Sequence, residues 1–134
     1  MPVHRLLLSF GLALLTACAQ QPANNVTLQP GERQSCPPVR LVVGQTLTLI
    51  LPSNPTTGFR WQLHEAAPGV LGSLSPEVYS APEDAGLVGG AGESTWRFQA
   101  SAPGEGRLLL TYQRPWETDV PPARTVDCTV NVRQ

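Results

Sequence analysis

Apolar residues recur at every second position in a series of short runs, and proline and glycine separate the runs. Residues 59–64 are the clearest case. Phe59, Trp61 and Leu63 fall on one side of an extended chain, and Arg60, Gln62 and His64 on the other. A period of two marks a strand with one face buried. The same pattern predicts strands over 39–43, 46–51, 77–80, 94–101 and 124–132. Trp96, Phe98 and Ala100 point inward in one of these, and Val126, Cys128, Val130 and Val132 in another. Residues 107–113 are apolar on both faces, which predicts a central strand. Turn residues fill 65–69 and 102–106. No run keeps a helical period over ten residues. About seven to eight short strands bounded by such turns predict an all-β, immunoglobulin-like β-sandwich with Greek-key connections.

The first 38 residues do not fit this pattern. Residues 6–15 are an apolar stretch of signal-peptide length, too short to span a bilayer. The stretch ends in Leu15-Thr16-Ala17-Cys18, which resembles a bacterial lipoprotein signal: an aliphatic residue, two small residues, and the cysteine that receives the lipid. Residues 1–18 are therefore expected to be a signal peptide ending at Cys18. Ala19, with no aspartate at that position, matches the pattern passed on to the outer membrane. The expected location is the bacterial cell envelope, lipid-anchored to the outer membrane and facing the periplasm. Residues 19–38 are polar and rich in proline and asparagine, and are expected to be a flexible tether. Residues 39–134 remain as the domain.

Composition narrows the function classes. The 134 residues are 41% hydrophobic and only 14% charged, enough to build a core. The formal net charge is −1, and all nine basic residues are arginines scattered along the chain, so a nucleic-acid partner is not expected. The three cysteines are an odd count. With lipid on Cys18, Cys36 and Cys128 are left as a pair in an oxidising compartment. A catalytic thiol would need a base. After residue 18 the only histidine is His64, on the outward face of its strand. No nucleophile–base pair, metal-spaced cluster or cofactor fingerprint is present, so neither an enzyme, a metal nor a cofactor is expected.

Three loops stand out. Residues 52–58 (PSNPTTG) spend far more than the two residues a tight hairpin needs. Asn54 can cap its own backbone, Pro55 fixes φ, Thr56 and Thr57 are stiff at χ1, and Gly58 tolerates positive φ. The product is a rigid polar corner. Residues 81–93 carry Gly86, Gly89, Gly90 and Gly92, with no phosphate-loop signature. Residues 114–123 open with Arg114-Pro115-Trp116, and Trp and Arg are the residues most enriched at interface hot spots. These loops follow the second, fourth and sixth predicted strands. In an immunoglobulin-like order they cluster at one end.

The NPTTGF.W of 54–61, the glycine-rich 86–93 and the Y.RPWE of 112–117 together resemble the chagasin family of cysteine-protease inhibitors, over about residues 39–133. The resemblance implies a reversible, competitive inhibitor of papain-like cysteine proteases, monomeric, whose three loops form a wedge in the active-site cleft. By position, Asn54, Pro55, Thr56, Thr57, Gly58 and Phe59 would lie across the catalytic cysteine of the protease. Gly89, Gly90, Ala91 and Gly92 would line one side of the cleft, and Arg114, Pro115 and Trp116 the other. Trp96 stands where a smaller residue is expected and reads as core. The alternative is an envelope-anchored adhesion or assembly module that uses the same sandwich.

Overall fold

The computed structural model describes residues 11–13, 23–31, 36–81 and 91–134. It is a two-layer sandwich. The strands are β1 (Asn25–Leu28), β2 (Val39–Val42), β3 (Thr46–Ser53), β4 (Arg60–Ala66), β5 (Leu71–Ser80), β6 (Gly92–Ala100), β7 (Gly104–Gln113) and β8 (Arg124–Arg133). One sheet has the order β1-β3-β6-β5 and the other β2-β8-β7-β4. Neighbours are antiparallel except at the two edges, where β1 runs parallel to β3 and β2 parallel to β8.

The alternation read from the sequence is what fills the space between the sheets. Leu47, Leu49 and Leu51 of β3 are fully buried and face Leu108 and Leu110 of β7 and Val126, Cys128 and Val130 of β8 in one core. Trp96, Phe98 and Ala100 of β6 complete it. Each buried Leu, Val or Phe contributes roughly 1.5–3 kcal/mol over its exposed state. As expected, β7 is a central strand, between β4 and β8. Trp96 is core, packed edge-on against Trp61 with ring centroids 6.4 Å apart.

Three local expectations are corrected. Leu63 is 41% exposed although it pairs with the fully buried Leu110, because β4 is the edge strand of its sheet. β5 begins at Leu71, six residues before the run of 77–80. Two register shifts against β6, between Ser73 and Ser75 and between Ser75 and Val78, carry it past Pro76, which an edge strand accommodates. Within the stretch expected to be tether, residues 25–28 are a strand: Val26 and Leu28 are half-buried and pack on the core while Asn25 pairs with Thr46.

Cys36 and Cys128 are disulfide-bonded, with sulfurs 2.06 Å apart. The bond ties the segment before β2 to the middle of β8 and closes a sequence separation of 92 residues.

Candidate functional site

Strand pairing places the three loops together. Ser53 at the end of β3 pairs with Gly92 at the start of β6, Ser80 at the end of β5 pairs with Glu93, and Tyr112 near the end of β7 pairs with both Trp61 and Arg124. The connections after β3, β5 and β7 therefore all leave from one end of the sandwich.

The first loop is a short 3-10 turn, Pro55–Thr57, capped at both ends. Asn54 Oδ1 accepts from the Thr56 N–H at 3.3 Å, and the Thr57 hydroxyl donates to the Asn54 carbonyl at 2.7 Å. Gly58 closes the turn in the left-handed region, φ 83°, and its N–H donates to the Pro55 carbonyl at 3.1 Å. A residue with a Cβ pays about 1–2 kcal/mol for that backbone. Arg60 donates to the carbonyls of Pro55 and Phe59, both at 2.9 Å. The corner is thus held by its own polar groups, while Thr56 and Thr57 stay exposed.

The third loop is bolted to the first. Arg114 Nε donates to the Thr57 carbonyl at 3.0 Å, its other arm pairs with Glu117 at 3.1 Å, and its guanidinium lies 4.5 Å above the centre of the Phe59 ring. Phe59 in turn stacks on Tyr112 at 5.1 Å, and Tyr112 on Trp61 at 4.7 Å. The column Arg114–Phe59–Tyr112–Trp61 runs from the loop surface into the core. Its geometry explains the places of two expected site residues: Phe59 is half-buried and supports the corner from beneath, and Arg114 joins the two loops. Trp116 is 67% exposed, and its benzo edge rests against Gly58. Pro115 is exposed beside it.

The second loop is only partly within the described residues, and Gly89 and Gly90 fall outside them. Ala91 is exposed. Gly92 is buried inside the hairpin, where an added Cβ would lie 2.2 Å from the Ser80 carbonyl and 2.7 Å from the Tyr79 hydroxyl. Its side-chain-free backbone lets β5 and β6 close, so in this conformation it supports the loop and offers no surface to a partner. Cys18 lies outside the described residues.

Sequence reasoning gave no place in the site to Tyr112, Arg60, Glu117 and Arg124. Tyr112 is the joint between the loops and the core, since its hydroxyl accepts from the Asn54 N–H at 2.9 Å. Arg124 sits over the Trp61 ring at 5.8 Å and donates to the Pro30 carbonyl at 2.6 Å. Tyr112 and Glu117 stand in the Y.RPWE motif of 112–117, and that was the available signal. Among the described residues no group of three or more His, Cys, Asp or Glu side chains is placed to hold a metal ion. This end presents a stiff polar corner, an exposed indole beside it, and a scaffold that has already fixed both.

Known proteins share the sequence pattern and the fold. The model of the chagasin family of peptidase inhibitors, I42, matches residues 40–130. Chagasin of Trypanosoma cruzi is 33% identical over 81 residues, which is 57% of this chain and 71% of the relative. Amoebiasin-1 of Entamoeba histolytica is 30% identical over 96 residues, 71% of this chain and 89% of the relative. The crystal structure of the cysteine protease inhibitor EhICP2 from Entamoeba histolytica shares the fold, with a TM-score of 0.69 at 22% identity over 81% of this chain and 96% of that one.

Proposed function

The chain belongs to the chagasin family of peptidase inhibitors, and on that premise we propose that its three-loop end is a wedge that enters the active-site cleft of papain-like cysteine proteases and blocks it reversibly. The observation that carries this reading is the pairing of the internally bonded Asn54–Gly58 corner with the exposed Trp116 indole against it.

A plug for a protease cleft must enter like a substrate without being cut like one. The corner meets both needs. Its backbone is bent into a 3-10 turn, whereas a protease subsite takes an extended strand, and the bend is locked by the Asn54 cap, the Arg60 bonds to Pro55 and Phe59, and the Arg114 bond to Thr57. Thr56 and Thr57 face the catalytic thiol but present no peptide in an attackable geometry. Trp116 anchors against aromatic groups at the side of the cleft, and Arg114 and Pro115 brace it. The segment Gly89–Ala91 follows the opposite wall, supported from beneath by the buried Gly92. Because the first and third loops are held by their own bonds before binding, they lose little conformational entropy on association. No bond is made or broken, so inhibition is competitive.

The inhibitor acts as a monomer held in the bacterial envelope by lipid on Cys18, at the outer membrane and facing the periplasm. Leu15-Thr16-Ala17-Cys18 and the following Ala19 support that address.

Titration of papain with the purified chain, with a serine protease as control, tests the reading. Stoichiometric inhibition of papain that is relieved by raising substrate, with the serine protease untouched, is the expected result. A folded chain that leaves papain active at micromolar concentration overturns it. Mass spectrometry of Cys18 from a bacterial host tests the anchor separately.

A further inference from the structure

We propose that the end of the sandwich opposite the wedge is the surface that faces the bilayer. Lipid on Cys18 then stands the domain on its 43–44, 67–70 and 101–103 turns, with the wedge directed away into the aqueous space. This inference rests on the lipid anchor proposed above and adds the orientation it imposes.

The position of β1 carries it. β1 runs parallel to β3, with Asn25 opposite Thr46 and Leu28 opposite Leu49. β3 starts at Thr46 and ends at Ser53, where the wedge begins. The chain therefore enters the sandwich at the end away from the wedge. It is fastened there. The Thr46 N–H donates to the Asn24 carbonyl at 2.8 Å, and the Thr48 hydroxyl donates to Asn25 Oδ1 at 3.1 Å. The Gln45 carboxamide bridges the Ala23 carbonyl and the Val42 N–H, both at 2.7 Å. Gln45 thereby joins the entering chain to the turn at 43–44.

Lengths decide the consequence. From Cys18 to Ala23 the chain spans at most about 18 Å however it is arranged. The eight residues of β3 rise roughly 25 Å from the point of entry to the wedge. A lipid on Cys18 thus holds the base close to the headgroups and lets the wedge stand clear of them. Had β1 run antiparallel to β3, the same lipid would have drawn the wedge onto the bilayer. The partner that fits is a soluble protease arriving from the aqueous side.

The test uses the lipidated full-length protein recovered from a bacterial host's membranes, placed in phosphatidylcholine vesicles that contain a headgroup spin-labelled lipid. A fluorophore is attached at Glu105→Cys, near the base, or at Asp119→Cys, in the third loop. Quenching at least about threefold stronger at position 105 than at 119 is expected from these lengths. Vesicle-bound protein should also inhibit added papain within about twofold of the soluble chain. Equal or stronger quenching at position 119 overturns the orientation. Should mass spectrometry find no lipid on Cys18, the natural anchor fails on its own, and the orientation is tested by the same readout with a synthetic lipid coupled to Cys18.

Discussion

The benzo edge of Trp116 rests so closely on Gly58 that a Cβ added there would lie 2.3 Å from Trp116 Cη2. Gly58 is also at φ 83°. The first position thus meets two demands at once, a left-handed backbone and room for the indole of another loop. Gly58→Ala should lose about 1–2 kcal/mol of stability from the backbone and push Trp116 out of place, weakening inhibition about tenfold or more. Gly44→Ala is the matched control. It has φ 95° at the base of the sandwich with no atom within 4 Å of the added Cβ. It should show the stability loss in a urea titration and leave inhibition unchanged.

Trp116→Ala separates binding from folding. The side chain is 67% exposed, so removing it should change stability by no more than about 0.5 kcal/mol. Inhibition of papain should weaken by about 2 kcal/mol or more, roughly thirtyfold, as for an interface anchor. Paired urea and inhibition titrations measure both.

Arg114→Ala should cost both. It removes the bond to the Thr57 carbonyl, the pair with Glu117 and the cover over Phe59. A guanidinium over an exposed ring contributes about 0.5–1 kcal/mol by itself. Arg114→Lys should recover little, because one ammonium cannot reach two acceptors while covering a ring. Inhibition constants should rise and melting temperatures fall together in the two variants.

Reducing the Cys36–Cys128 bond should destabilise the fold by up to about 4.6 kcal/mol, the chain-entropy figure for so long a loop. The bond lies midway along β8 and makes no contact with the wedge loops' own hydrogen bonds, so chain that stays folded should keep full inhibition. Melting curves and papain titrations, each with and without reductant, check this.

Asp127 supplies a pH test. Its carboxyl is held below its ordinary value chiefly by the hydrogen bond from Arg107, which outweighs the opposing effect of burial, and the charge of that guanidinium adds a smaller contribution. A lowered folded-state value means that this pair stabilises above the ordinary carboxylate range near pH 3.9 and fades as pH falls through the folded value. Both side chains are about half-exposed, so the effect is small and should shrink further in salt. The urea midpoints of wild type and Asp127→Asn should differ at pH 6 and converge toward pH 2.

The sandwich was readable because β2, β3, β6 and β8 alternate cleanly and β7 is apolar on both faces, and neither pattern needs knowledge of partners. β1 escaped because Val26 and Leu28 are only two apolar residues set among asparagine, glutamine and proline, and its register comes from β3. The first half of β5 was missed because its register shifts leave no mark in the local pattern, and the exposure of Leu63 because an edge position leaves none either. At the candidate site, the stiffness of residues 54–58 follows from local chemistry and was visible. The roles of Phe59 and Tyr112 were not. The Asn54–Tyr112 bond joins residues 58 positions apart, and only the folded chain brings them together.

Binding to papain with an open and with a filled cleft is the most direct test of the wedge. Calorimetric titration against papain should give tight binding, and titration against papain whose cleft holds a covalent peptidyl inhibitor should give none. Equal binding to both forms would mean that the protein docks outside the cleft, and the wedge would be wrong.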